Sequence, residues 1–145
     1  MFCYEYPHPA VTADCIVYNR DNGVLKVLLI KRGNEPYKDY WAFPGGFMNI
    51  VESAEDAALR ELKEETGLVV NEIRQLKAYS TPGRDPRERV VTITFISECE
   101  IVDVKGGDDA AEARWFQIDH IPPLAFDHEL MLKDAISFIN DNSCC

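Results

Sequence analysis

The sequence lacks long apolar runs and has few basic residues. No hydrophobic segment approaches the ~20 residues that cross a bilayer, and the opening segment MFCYEYPHPA has neither the basic head nor the apolar core of a secretory signal. Lys and Arg number 15 against 25 Asp and Glu, which gives a net charge of −10. Because nonspecific nucleic-acid binding depends on Lys and Arg, we expect no nucleic-acid partner, no membrane association and a cytoplasmic location.

The sequence lacks the cysteine spacing of the common zinc sites. The five cysteines are odd in number and irregularly placed. The sequence also lacks internal repeats, low-complexity tracts and linkers. A chain of 145 residues is long enough to bury its own core, so we expect one domain spanning residues 1–145.

One segment stands out, GFMNIVESAEDAALRELKEETGL, from Gly46 to Leu68. Ser53 followed by Asp56 is the spacing of an N-cap whose acid reaches back to the cap. Gly67 is a natural helix stop, since glycine tolerates the left-handed conformation. The segment therefore predicts a glycine turn followed by a helix from about Ser53 to Thr66.

The last turns of this helix carry glutamates where an ordinary core helix has aliphatic residues. The small apolar stripe that starts the helix should continue, seven residues later, at Glu61, Glu64 and Glu65. Like charges at these spacings repel, and each also opposes the helix dipole by about 0.3–1 kcal/mol. Arg60 can pair with Glu64 but cannot neutralise three carboxylates. Either the stripe is a solvated acidic face, or it holds Mg²⁺, which prefers carboxylate, water and phosphate oxygens.

The rest of the chain alternates strand and helix patterns. We predict strands at 11–18, 24–30, 90–96 and 113–118, one or two strands within 69–80, and a second helix over about 127–140. Asn22-Gly23 predicts a hairpin turn between the first two strands, and Gly45-Gly46 a turn before the first helix. The expected fold class is α/β, with a mixed central sheet between helices.

The segment from Gly46 to Leu68 resembles the signature of a known family, the Nudix hydrolases. The family signature is Gly, five residues, Glu, seven residues, and then Arg-Glu-aliphatic-any-Glu-Glu-any-Gly-aliphatic. Every specified position is matched in this sequence, by Gly46, Glu52, Arg60, Glu61, Leu62, Glu64, Glu65, Gly67 and Leu68. The resemblance implies a Nudix-type α/β/α sandwich that hydrolyses a nucleoside diphosphate linked to another group.

The resemblance also implies roles for residues of the signature. The metal ligands would be the Gly45 carbonyl, Glu61 and Glu65 for Mg²⁺, or Mn²⁺ as the alternative, with Glu64 as a further ligand or the base. Glu52 and Arg60 would hold the loop against the helix. Gly46 would lie beside the phosphates of a small-molecule nucleotide.

Three arginines follow in a proline-punctuated loop, TPGRDPRER. Arg84, Arg87 or Arg89 could grip a diphosphate, or the loop could be a surface turn with Arg–Asp pairing. This RDPR loop and the opening YPHPA segment resemble the ADP-ribose pyrophosphatase branch of the family. Arg32, which follows a buried strand, could also meet a phosphate or simply end the strand in water.

A late acidic cluster, Asp108, Asp109 and Glu112, precedes Trp115. Because a late loop often supplies one more carboxylate in this family, Glu112 is the first choice for a further ligand or base and Asp109 the second, against a solvated turn. Trp41 and Phe43 could stack on a base or pack in the core. The three histidines have no ligand spacing and are interpreted as structural.

The most specific function implied is hydrolysis of ADP-ribose to AMP and ribose 5-phosphate. Alternatives are another nucleotide substrate (an oxidised nucleoside triphosphate, a dinucleoside polyphosphate or a sugar nucleotide) or a domain that senses ADP-ribose without cleaving it. A sensing regulator would need a DNA-binding module, which we do not expect in this acidic chain of 145 residues. A homodimer is an open option, since related enzymes often dimerise.

Overall fold

The computed structural model describes residues 1–107 and 110–142. In chain order the elements are β1 Ala10–Asp21, β2 Val24–Arg32, β3 Trp41–Ala42, β4 Gly45–Phe47, α1 Ala54–Thr66, β5 Arg74–Tyr79, β6 Val90–Glu98, β7 Ala110–Gln117 and α2 His128–Asp141.

The strands form one mixed sheet around β1. Strand β1 pairs antiparallel with β2 and β4 and parallel with β6. The strand order along the main path is β3-β2-β1-β6-β5. Strand β7 lies off this path and pairs antiparallel with β2 from Lys26 to Arg32. The parallel pair at the centre joins Ala10 to Val90 and Tyr18 to Glu98.

The two helices cover opposite faces of this sheet, because successive strand residues point to opposite sides. Ala13, Cys15 and Val17 of β1 pack in the same core as the apolar residues of α1, whereas Ile16 belongs to the core that includes α2. The predicted α/β/α sandwich with a mixed central sheet is therefore confirmed.

The first helix has the ends that its sequence predicts. The hydroxyl of Ser53 accepts from the backbone N–H of Asp56, whose carboxylate accepts from the N–H of Ser53. Gly67 follows the helix at φ 78°, and its N–H donates to the Lys63 carbonyl. The Asn22-Gly23 turn also forms, with both residues at positive φ. Within the described residues, neither helix has the length and apolar character to cross a membrane.

The predicted turn at Gly45-Gly46 is wrong. These residues form the short strand β4, in which Gly46 pairs with Ala13 and Gly45 with Asp14 of β1. Of the described glycines, those at positive φ are Gly23, Gly67 and Gly83. The reason for glycine at 45 and 46 is therefore close packing against the side chains of Asp14 and Glu61.

Candidate active site

A cavity of about 450 Å³ opens where α1, the strand β4, the loop after β5 and the start of α2 meet. Its walls combine acidic, basic and aromatic side chains. It brings together many of the residues that the sequence singled out: Arg32, Gly45, Gly46, Arg60, Glu61, Glu65, Arg84 and Arg87.

The two glycines of β4 allow its backbone to lie against carboxylates. A Cβ on Gly45 would stand 2.0 Å from Oδ1 of Asp14, and one on Gly46 would stand 2.6 Å from Oε1 of Glu61. The backbone N–H of Gly45 donates to Oε1 of Glu65 at 2.8 Å. Because these residues have no side chains, the backbone of β4 can pack between Asp14 of β1 and the glutamates of α1.

The three glutamates of α1 do not share one environment. Glu65 is buried, at 6% exposure, and Glu61 is half-buried, and both line the cavity. Glu64 is exposed and lies outside the residues that line the cavity, although it faces the same arginine. The stripe predicted from the alanines therefore diverges in the last turns of the helix.

Arg60 links the three parts of this wall. Its guanidinium donates to Glu52, at 2.6 and 3.0 Å, and to the Phe47 carbonyl at 3.1 Å. It also pairs with Glu61 at 2.8 Å and with Glu64 at 3.1 Å. Hydrogen bonds from Arg60 lower the pKa of Glu52 to about 2. These contacts fasten the loop before α1 to the helix.

Oxygen donors dominate this side of the cavity. Within residues 1–107 and 110–142, no three His, Cys, Asp or Glu side chains are grouped closely enough to form a complete metal cage. The donors present are carboxylates and the glycine backbone at the cavity wall, which are hard ligands. This set fits Mg²⁺, because that ion keeps several waters and is bound by one or two carboxylates together with substrate phosphates.

The arginines differ in what they contact. Arg84 is buried and forms a bidentate pair with Asp127 at 2.7 and 2.9 Å. Arg87 binds Asp85 at 2.7 Å, yet its guanidinium also stacks over Phe47 and Phe126. The Arg–Asp pairing expected for a surface turn is thus present.

The other two candidate arginines also have different positions. Arg32 donates to the Pro36 carbonyl at 2.8 Å, and its guanidinium lies 4.9 Å from the centroid of Phe126. Arg89 is exposed and does not line the cavity.

The late carboxylates are placed differently from the α1 glutamates. Glu112 is on β7, where it pairs with Arg114 at 2.6 Å, and it is not among the residues that line the cavity. Asp108 and Asp109 lie outside the described residues. The role of Glu112 as a ligand or base stays a prediction.

Among the residues that line the cavity, Asp14, Phe126 and His128 were not identified as site residues from the sequence. Asp14 is buried in β1 and accepts a hydrogen bond of 2.6 Å from the Thr92 hydroxyl. Burial raises the pKa of Asp14 to about 6, although the Thr92 bond opposes the shift. The available sequence signal was an acid inside an otherwise apolar strand.

The chain at the start of α2 supplies the other two residues, Phe126 and His128. Phe126 adopts φ 52°, a conformation that is unusual for a bulky residue. His128, interpreted as structural from the sequence, does accept a structural hydrogen bond, from the Phe43 N–H at 3.0 Å, but it also lines the cavity. Phe43 lines the cavity while packing in the core, and Trp41 packs in that core.

Comparison with known proteins shows which family the chain belongs to. A family model described as NUDIX domain matches residues 8–135. The chain is 47% identical over 135 residues to an ADP-ribose pyrophosphatase of Methanocaldococcus jannaschii, covering 93% of this chain and 78% of that protein. It is also 31% identical over 147 residues to the ADPR responsive transcriptional repressor NtrR of Acinetobacter baylyi, covering 96% of this chain and 58% of the repressor.

A solved structure shows the same fold around a ligand. The NUDIX domain of Shewanella oneidensis NrtR complexed with ADP ribose has a TM-score of 0.87 at 29% identity, covering 92% of this chain and 90% of that one. The chain therefore belongs to the Nudix family. The family match and the identity to a pyrophosphatase support its assignment as a Nudix pyrophosphohydrolase.

Proposed function

We propose that this protein is a Mg²⁺-dependent hydrolase that cleaves ADP-ribose, with one water, into AMP and ribose 5-phosphate. The observation that carries the proposal is the meeting of Glu61 and Glu65 with Arg32 and Arg87 around one cavity. A diphosphate ester needs positive charge to bind and an acidic wall to hold a cation beside it. The relative of known substrate class, at 47% identity, favours ADP-ribose.

The acidic wall would hold the cation. The Gly45 carbonyl, Glu61 and Glu65 are the proposed ligands of Mg²⁺, with Mn²⁺ as the alternative ion and Glu64 as a further ligand or the base. When bound, such an ion polarises a phosphoryl oxygen and lowers the pKa of a water. Arg60 keeps Glu61 and Glu64 from repelling each other before substrate binds, through its bonds to both.

The basic residues divide into two groups. Arg87 and Arg32 stack on Phe126 with guanidinium groups at the cavity, so we assign them to the diphosphate. Both Arg84 and Arg87 pair with an aspartate, but the Arg84 side chain is 5% exposed and that of Arg87 is 38% exposed, so we assign Arg84 to positioning the loop that carries Arg87. Arg89 is exposed and does not line the cavity, so Arg89→Gln should raise KM less than Arg87→Gln does.

The decisive experiment is turnover of ADP-ribose with Mg²⁺ and with EDTA, with AMP and ribose 5-phosphate measured by chromatography. We expect turnover with Mg²⁺ alone. The same assay run on an oxidised nucleoside triphosphate, a dinucleoside polyphosphate and a sugar nucleotide tests the alternative substrates. Metal-independent turnover, or none on any of these, would defeat the proposal.

A sensor of ADP-ribose is the second candidate, because a repressor and an ADP-ribose-bound NUDIX domain are both similar to this chain. Binding of ADP-ribose without turnover in Mg²⁺ would favour this candidate over the enzyme. Cytoplasmic location, the absence of a nucleic-acid partner and homodimer formation stay predictions from the sequence.

The general base is assigned by comparing two variants. Glu64 is exposed at the end of α1 beside the proposed ligands, and Glu112 is the alternative on β7. Loss of the base should flatten the acidic limb of the pH–rate profile. Glu64→Gln and Glu112→Gln, measured between pH 5 and 9, separate the two: the variant that keeps the limb is not the base.

A further inference from the structure

His128 stands at the start of α2 with its ring enclosed by the wall of the cavity. The residue is 4% exposed. Its ring stacks with Phe43 at a centroid distance of 5.8 Å and an interplanar angle of 25°, and lies 5.7 Å from the ring of Phe126. These contacts fix the plane of the imidazole.

The hydrogen bond from Phe43 fixes the tautomer. Because the backbone N–H of Phe43 donates to Nδ1 at 3.0 Å, Nδ1 carries no proton. A neutral imidazole then has its proton on Nε2, which is a donor. Burial lowers the pKa of His128 to about 3, with Arg84 and Arg32 acting in the same direction and Asp127 against it. The ring is therefore neutral at pH 7.

Within the described part of the chain, the His128 ring makes one hydrogen bond, at Nδ1. The proton on Nε2 therefore has no acceptor among those residues. Among the described residues, every side-chain nitrogen or oxygen that solvent cannot reach has a hydrogen-bond partner. Nε2 therefore reaches open space, and the open space that His128 lines is the cavity.

We propose that the Nε2–H of His128 binds the nucleoside part of the substrate, by donating a hydrogen bond to an uncharged acceptor. The donor itself carries no charge, which favours an uncharged acceptor over a phosphate, because phosphates bind most strongly to charged donors. Phe126, which contacts the His128 ring, belongs to one apolar cluster with Ile30 and Ala42, and all three line the same cavity and suit a ring or a sugar.

This inference rests on the proposed function and assigns the orientation of the nucleotide within the cavity. The diphosphate would lie between the arginines and the α1 glutamates, with the nucleoside directed toward α2. The acceptor is either a ring nitrogen of the purine or a ribose hydroxyl oxygen. Both are uncharged acceptors, and analogues that lack one or the other distinguish them.

The test measures equilibrium binding of AMP in EDTA, so that turnover plays no part. His128→Asn keeps an acceptor near Nδ1 for the Phe43 N–H and removes the donor at Nε2. His128→Gln places an amide near Nε2 and removes the acceptor for Phe43. We expect His128→Asn to weaken AMP binding about tenfold with little change in Tm, and His128→Gln to lower Tm more while losing less affinity.

The acceptor is then identified by repeating the titrations with 1-deaza-, 3-deaza- and 7-deaza-AMP and with 2′-deoxy- and 3′-deoxy-AMP. The analogue that lacks the acceptor should bind the wild type about as weakly as AMP binds His128→Asn, and should bind both proteins equally. In the wild type, the Nε2–H proton of ¹⁵N-labelled His128 should also shift when AMP is added, which needs no variant to fold.

Three outcomes would overturn the inference. Equal AMP affinity of wild type and His128→Asn would do so while leaving the hydrolase proposal intact. An unmoved Nε2–H signal on saturation with AMP would show that His128 acts only through Phe43. A wild-type protein that bound neither AMP nor ADP-ribose would overturn this inference and the proposed function together.

Discussion

Removing the carboxylate of Asp127 should destabilise the whole fold. The Arg84 side chain is 5% exposed and that of Asp127 is 21% exposed, and two hydrogen bonds join them. Deleting one partner of a buried pair costs about 3–5 kcal/mol, because the other charge is left without compensation. Asp127 is partly exposed and Asp14 also attracts Arg84, so we expect the lower value, about 3 kcal/mol, for Asp127→Ala.

The capping of α2 does not complicate this estimate, because Asp127 makes no side-chain capping hydrogen bond. Urea denaturation followed by circular dichroism gives the free energy of unfolding directly. In a thermal scan, about 3 kcal/mol in a domain of this size lowers Tm by about 10 °C.

Two controls make the test specific to the pair. The double variant Arg84→Met/Asp127→Leu should recover most of the loss, since it removes both charges. Asp119→Ala removes an exposed aspartate and should change stability by less than about 0.5 kcal/mol. A loss below about 1 kcal/mol in Asp127→Ala, or no recovery in the double variant, would refute the reasoning.

Three further predictions concern the cavity wall. Glu65→Gln should lower kcat by about 10³-fold with the fold intact, whereas Glu55→Gln on the exposed first turn of the same helix should not; equal rates would remove Glu65 from the metal site. Gly46→Ala places a Cβ 2.6 Å from the Glu61 carboxylate and should displace that side chain. The Mg²⁺ concentration needed for half-maximal activity should therefore rise, which a metal titration of the rate measures; an unchanged titration curve would contradict this prediction. The pKa of His128 is depressed to about 3 in the folded state. As the pH falls below 6.5, the unfolded chain therefore binds a proton at this histidine while the folded protein does not. The contribution of the neutral His128 to stability, up to about 5 kcal/mol, is present above pH 6.5 and is lost as the pH falls toward 3. Urea titrations at pH 4, 5.5 and 7.5 should show this dependence in the wild type and less of it in His128→Asn; parallel losses in both proteins would exclude the histidine as its source.

Local signals predicted the elements well, because the residues that carry them act within a few positions. Ser53, Asp56 and Gly67 define the ends of α1 through neighbouring backbone groups, and Asn22-Gly23 makes its turn alone. The turn expected at Gly45-Gly46 failed for the opposite reason. Glycine is required at those positions because Asp14 and Glu61 lie too close for a side chain, and these contacts form only in the folded chain.

The site was predictable where spacing along one helix defines it. Glu61 and Glu65 are four apart and reach the same cavity, as expected. Asp14 and His128 come from distant parts of the chain and join the cavity through tertiary packing. No local pattern marks a histidine as lining a cavity rather than filling a core, because its Phe43 contact spans 85 positions.

The parallel pairing of β1 with β6 has a consequence for how the molecule assembles. The paired residues are 80 positions apart, as Thr12 and Thr92 are, and α1 and the glycine strand lie between them in sequence. Closing so long a loop is slow compared with helix formation. A ribosome-bound chain that ends before β6 can form the acidic helix, but Asp14 then lacks its Thr92 hydroxyl. Competence to bind a ligand therefore arrives late in synthesis, after β6 and then the start of α2, which carries His128, have emerged.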